Sequence, residues 1–152
     1  RRYGARILIV GELSERSLGD SLQQELGDGL VNMVGQSTVR QASAALGHCR
    51  LYVGNDTGPK HMAAATGVPV IEINGFPLSG VPSDPASPNR FGPRGVPHRV
   101  LQPIRGRHPC LDACTADQAH CILEVTLEEV KTAVEKMLVS DKTTTATSKV
   151  GQ

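Results

Sequence analysis

The chain has 152 residues, 39% of them hydrophobic and 20% charged, with a formal net charge of +1. That length suits one domain of ordinary size, and the near balance of charge argues against a general nucleic-acid or membrane-surface binder. Aromatic residues are 3% and Trp is absent, so the core is expected to be aliphatic. No run approaches the roughly 18 apolar residues of a membrane span, and the opening RRYGARILIV shows no secretory signal pattern. Four cysteines in a chain this long read as reduced and cytosolic rather than as a disulfide scaffold.

The apolar run ARILIV (5–10) predicts a strand buried on both faces of a parallel sheet, ended by Gly11. Leu18, Leu22 and Leu26, four apart, predict one face of a helix over 14–26 with Gly27 as its stop. LVNMVG (30–35) reads as a short strand. Ser37 or Thr38 is expected to cap a helix carrying Val39, Ala42, Ala45 and Leu46. RLYVG (50–54), a helix from Pro59 to about Thr66, and a strand VPVIEI (68–73) follow. Residues 76–97 hold most of the chain's ten prolines and predict a long, ordered, functional loop. HRVLQPI reads as a last short strand. TLEEVKTAVEKMLV (126–139) predicts a closing helix, with Thr126 and Glu129 as a capping box and Leu127, Val130, Val134 and Leu138 as its apolar stripe. The polar tail 140–152 is expected to be disordered. Strands alternating with short helices imply an open parallel α/β sheet, whose ligands bind beyond the carboxyl ends of the strands.

The turn NDTGPKH (55–61) carries more polar chemistry than a core crossover needs. Asp56 ends a buried strand, Thr57 and Gly58 make a tight turn, and Pro59 suits the first helical position. The N–H groups of Gly58, Lys60 and His61 would then point from a helix N-terminus into the ligand crevice, where a diphosphate fits. Thr57 could donate its hydroxyl and His61 an imidazole N–H. The alternative is that Asp56 or Thr57 caps the helix and His61 is merely solvated.

The stretch VGNDTGPKHMAAATGVPVIEINGFP resembles the donor-site signature of the bacterial lipopolysaccharide heptosyltransferase family, inverting glycosyltransferases of the GT-B fold. That signature is Asp-(Ser/Thr)-Gly, a His three residues later, an Ala-rich helix, and an apolar strand ending in a Gly-Pro-rich loop. Asp56, Thr57, Gly58 and His61 match it in place. NMVGQSTVRQASAAL and ILIVGELSERS resemble the family's preceding segments, and C-x3-C-x6-CI before a Val-rich helix recurs in many members. The resemblance spans about residues 5–139 and implies a Rossmann-like three-layer parallel sheet, the C-terminal half of a GT-B fold. It makes residues 1–139 a donor domain incomplete at its N-terminus.

By that resemblance Asp56, Thr57, Gly58 and His61 would hold the diphosphate and sugar of a nucleotide-sugar; Lys60, where the family often has an apolar residue, would add positive charge. Glu15 would reach the ribose, and Gln36 and Ser37 would border the base. Read from the residues alone, Glu15 is a first-turn acid favoured by the helix dipole and Ser37 a cap. The implied activity is inverting transfer of heptose from ADP-heptose to a lipopolysaccharide core or similar glycan acceptor, with no obligatory metal. The implied setting is the cytoplasm or the inner-membrane surface. The base is expected in the family's N-terminal acceptor domain, so the fragment alone is expected to be inactive. A GT-B nucleotide-sugar epimerase and a non-catalytic nucleotide- or metal-binding module are the competing readings.

Two further expectations concern the sheet and the cysteines. In a strand order 3-2-1-4-5-6, the resemblance makes ARILIV strand 2 and RLYVG strand 4, with the central strand preceding this chain. The two are therefore expected to close up directly, or to be bridged by another chain, as by exchange in a homodimer. Cys110, Cys114 and Cys121, with His108 and His120 beside them, follow no established zinc spacing. They read as reduced cysteines packing a loop, weak metal candidates at most; Cys49 reads as plain core.

Overall fold

The computed structural model describes residues 4–144. They divide into two compact units, one ending at Cys49 and the other starting at Arg50. The first holds β1 (Ile7–Ile9), α1 (Arg16–Leu26), β2 (Leu30–Asn32) and α2 (Val39–Leu46), with β1 parallel to β2. The second holds β3 (Tyr52–Asn55), α3 (Gly58–Ala65), β4 (Val70–Ile73), the short α4 (Pro88–Phe91), β5 (His98–Leu101) and α5 (Leu127–Thr144). Its sheet is parallel throughout, in the order β3-β4-β5. No described helix is long and apolar enough to cross a membrane.

In the first unit the predicted elements form, but the predicted faces do not. Ile7 is 48% exposed, and Leu18, from the expected apolar face of α1, is 62% exposed. A sheet of two three-residue strands is too narrow to cover a strand on both sides. Helix α1 meets it instead through the buried Gly19, where a Cβ would come within 3.0 Å of Asn32 and Val34. Thr38, not Ser37, caps α2: its Oγ1 accepts from the Gln41 N–H and the Gln41 carboxamide turns back to the Thr38 N–H, a capping box.

Within the first unit β1 pairs with β2, and within the second β3 pairs with β4.

In the second unit the expectation of a doubly buried strand holds for β4. Val70, Ile71 and Glu72 are fully buried, and Ala63 of α3 and Val68 are buried with them. Helix α3 ends in a Schellman motif: Gly67 takes φ +82°, the Val68 N–H reaches Ala63 O at 3.0 Å and the Gly67 N–H reaches Ala64 O at 3.1 Å. Glycine alone adopts that backbone without strain, which explains the sequence ATGVP. The Pro-rich loop is ordered as expected. Phe76 and Pro77 are buried, the Leu78 N–H bonds to Pro103 O at 2.9 Å, and the Gln102 carboxamide donates to Phe76 O at 2.7 Å. The Thr126–Glu129 capping box is present. Helix α5 runs on to Thr144, past the expected end at 139, and Ala133 is its buried contact while Leu127 stays exposed. The remainder of the predicted disordered tail, 145–152, lies outside the described residues.

The core of this unit contains charge. Lys60, one helical turn into α3, is 0% exposed. Its ammonium pairs with the Asp56 carboxylate, donates to Phe91 O at 2.6 Å and lies 3.2 Å from Glu72 Oε2. The Glu72 contact is ionic, without hydrogen-bond geometry at Oε2. The other Glu72 oxygen accepts from Asn74 Nδ2 at 2.6 Å, and the same amide nitrogen lies 3.5 Å from Asp56 Oδ2. Lys60 is therefore not the ligand-facing cation the sequence suggested. An ammonium cannot be buried alone, and here it is the junction of β3, α3, β4 and α4.

Two predictions follow the core. Lys60→Met strands Glu72 without its cation and should cost about 3–5 kcal/mol of unfolding free energy. Adding Glu72→Leu should recover much of it; urea denaturation of the single and double variants measures both, and a single-variant loss below ~0.5 kcal/mol would place Lys60 at the surface. Glu129 is held below its ordinary value of 4.5 by the Thr126 N–H and hydroxyl. A lowered carboxylate stabilises above the unfolded pKa and loses that contribution as pH falls through the folded one. Glu129→Gln should therefore lower the melting temperature at pH 7, by a difference that shrinks as the pH falls below 4.5.

Candidate functional site

The turn after β3 presents Asp56, Thr57, Gly58 and His61 at the surface. Helix α3 begins at Gly58, one residue before the expected Pro59. Neither side chain caps it. Thr57 makes no capping bond, and its Oγ1 lies 3.5 Å from Asn55 O. Asp56, the stronger capping candidate, is turned away by Lys60 and Asn74. The capping alternative is thereby set aside.

The donor count at this N-terminus differs from the sequence expectation. The Lys60 N–H is spent on Thr57 O at 3.1 Å, and the N–H of His61, the fourth helical residue, enters the helical ladder. Among the described residues the Gly58 N–H keeps no partner, and a Cβ added to Gly58 would meet nothing within 4 Å. The dipole of α3 adds partial positive charge at this point.

Successive residues of a helix point about 100° apart, so with Lys60 inward His61 faces out. It lines an open cleft of about 310 Å³ with Ala64, Arg90, Phe91 and Arg94. Arg90 lies 5.5 Å from the Phe91 ring centroid, a cation–π distance. Arg94 is anchored through its Nη2 on Asn89 O at 3.0 Å. The sequence reading missed both arginines, which the Pro-rich loop delivers. Their signal was weak: Ser87-Pro88 reads as a helix start, and Ser87 Oγ does accept from the Asn89 N–H. Tyr52 was also missed. Its hydroxyl bonds to the Thr57 side chain, and burial pushes its pKa up. Gly54, two residues along the strand, leaves the room its ring needs.

The three candidates of the first unit are described by themselves. Glu15 is exposed, and its Oε2 accepts from the Glu12 N–H at 2.9 Å. Gln36 is exposed and donates to Asn32 O at 3.2 Å. Ser37 is half-buried. These contacts are those of ordinary turns.

The cysteines converge more than their spacing suggested. Cys110 and Cys121 are buried, Cys114 is exposed, and His120 joins them. The Thr115 N–H pulls the Cys110 thiol down, the Cys121 N–H pulls the Cys114 thiol down, and burial pushes Cys121 up to about 11. His108 is not part of the cluster, and Cys49, read as core, is half-buried.

The profile of glycosyltransferase family 9 (heptosyltransferase) matches residues 4–119. The chain is 25% identical over 140 residues to lipopolysaccharide heptosyltransferase 2 of Salmonella typhimurium, covering 89% of this chain and 38% of the relative. It is 24% identical over 144 residues to the Escherichia coli protein of that name, covering 91% and 39%. The solved structure of E. coli ADP-heptose LPS heptosyltransferase II superposes with a TM-score of 0.67 at 21% identity, over 93% of this chain and 38% of that one. A family 9 glycosyltransferase from Veillonella parvula gives 0.63 at 20% identity, over 91% and 38%. The architecture is thus that of the C-terminal half of a GT-B fold, and the chain spans less than two-fifths of the length of these relatives. By a match over residues 4–119, this chain belongs to glycosyltransferase family 9, the heptosyltransferase family.

Proposed function

We propose that this chain is the donor-binding part of a glycosyltransferase that moves heptose from ADP-heptose to a lipopolysaccharide core or similar glycan. The observation that carries the reading is the uncapped N-terminus of α3, with the free Gly58 N–H and the outward His61 beside Arg90 and Arg94. An uncapped helix start flanked by cations suits a diphosphate. Glu15, Gln36 and Ser37 take the nucleoside in this reading, on the strength of the family resemblance.

The reaction is an in-line displacement with inversion. The acceptor hydroxyl oxygen attacks the anomeric carbon, its proton passes to a base, and the bond to the diphosphate oxygen breaks with both electrons leaving on oxygen. Charge grows on the diphosphate in the transition state. The Gly58 N–H, the helix dipole, His61 and the two arginines would stabilise it more strongly there than in the ground state, which is what accelerates a reaction. The reading assigns no base to these residues. Its setting is the cytoplasm, at the inner-membrane surface where the lipid-linked acceptor lies.

Titration calorimetry with ADP tests the site. His61→Ala should weaken binding by about 1.5–3 kcal/mol, the range for a hydrogen bond to a charged group. The melting temperature should not move, because His61 is exposed. Unchanged affinity, or no ADP binding by the parent chain, would overturn the reading.

A further inference from the structure

Between β5 and α5 the chain runs from Gln102 to Thr126 with one short 3-10 turn at Cys121–Glu124 as its regular structure. A segment that long needs something to hold it, and little of it is apolar enough to do so. What it does bring together is three thiols and an imidazole. His120 Nδ1 lies 3.5 Å from Cys110 Sγ, 3.5 Å from Cys121 Sγ and 4.0 Å from Cys114 Sγ. All four ligand atoms fall within 4.8 Å of one another.

Two of the three S···N separations match the edge of a coordination tetrahedron, and the cluster as a whole is somewhat wider than one. With Zn–S near 2.3 Å and Zn–N near 2.0 Å, the tetrahedral angle sets S···N at about 3.5 Å and S···S at about 3.8 Å. Hydrogen bonding explains the convergence poorly. A ring nitrogen has one proton to give or one lone pair to share, so it can serve one thiol of the three. A cation at the centre serves all four groups at once.

The surroundings are those of metal-bound thiolates. The Arg107 N–H donates to Cys121 Sγ at 3.3 Å and the Thr115 N–H to Cys110 Sγ at 3.5 Å. Backbone N–H···S bonds of this kind orient the sulfurs and offset their charge. Arg107 and Glu124 pair at 3.7 Å beside the cluster. Three thiolates and one imidazole leave no open position, which marks a structural site rather than a catalytic one.

We propose that Cys110, Cys114, His120 and Cys121 bind one Zn²⁺ ion that staples the 102–126 loop. Binding displaces the thiol protons to solvent and changes no oxidation state. The staple acts on the segment that follows β4: Gly75 packs against Ile122, and Gly80 against the Asp112 carbonyl. It thereby fixes the loop that begins at Asn74.

The test is metal analysis of the full chain purified under reducing conditions without added metal. About one zinc per chain is expected. Cys114→Ser, at the exposed ligand, and His120→Asn should each lose most of it, while Cys49→Ser should keep it. Co²⁺ in place of zinc should show tetrahedral d–d bands with sulfur-to-metal charge transfer, lost in Cys114→Ser, and chelation should lower the melting temperature. A chain that purifies without metal and gives no such Co²⁺ spectrum overturns the site. Iron at the same stoichiometry overturns zinc, and equal loss in Cys49→Ser overturns the ligand set.

Discussion

The buried ammonium of Lys60 is the constraint on which the second unit turns. A lysine with no exposed surface must have its charge met from several sides. It is met by Asp56 at the end of β3, Glu72 in the middle of β4 and the Phe91 carbonyl at the end of α4. Each of those contacts fixes one segment relative to α3. An apolar residue at this position would pack the same elements with less to choose between registers, and it would leave Glu72 and Asp56 unanswered.

The same pairing shapes the surface. An aspartate just before a helix ordinarily folds onto the first free N–H groups. Lys60 draws the Asp56 carboxylate away from the α3 N-terminus, and Asn74 lies against its other oxygen. The result is a helix start whose own sequence supplies a capping acid and does not use it. A buried charge thus keeps the helix start open where a diphosphate is proposed to sit, and the cost of that burial is borne by the four-residue polar network rather than by the turn.

Elements were legible in the sequence wherever local chemistry decides them. The Thr126–Glu129 box, the Gly58-Pro59 turn and the doubly apolar VPVIEI each carry their cause in a few adjacent residues. Faces were not legible where they depend on how wide a sheet lies beneath them. The Leu18 stripe has helical spacing, yet α1 packs through Gly19. Lys60 defeated sequence reasoning for a related reason. Lysine is presumed exposed, and only the meeting of residues 56, 72 and 91 shows otherwise. His120 and the cysteines were dismissed on their spacing, a one-dimensional test of a three-dimensional arrangement. The exposed turn from Asp56 to His61 was legible because a βα turn keeps its residues contiguous, whereas Arg90 and Arg94 reach the His61 cleft from a loop some thirty residues away.

Two independent restraints meet on the short segment after β4. From the core side, Asn74 Nδ2 is tied to Glu72 and lies near Asp56, while its Oδ1 accepts from the Phe76 N–H at 2.7 Å. From the other side, Gly75 lies against Ile122, next to Cys121. The segment is gripped by the lysine network on one flank and by the cysteine loop on the other. A displacement of residues 121–122 has a direct route to the amide that positions Asp56, and so to the helix start where the diphosphate is proposed to sit. The cysteine loop has no atom in the proposed donor site. Asn74 holds the lysine network and its chain neighbour Gly75 meets Ile122, so two adjacent residues join the halves of this arrangement.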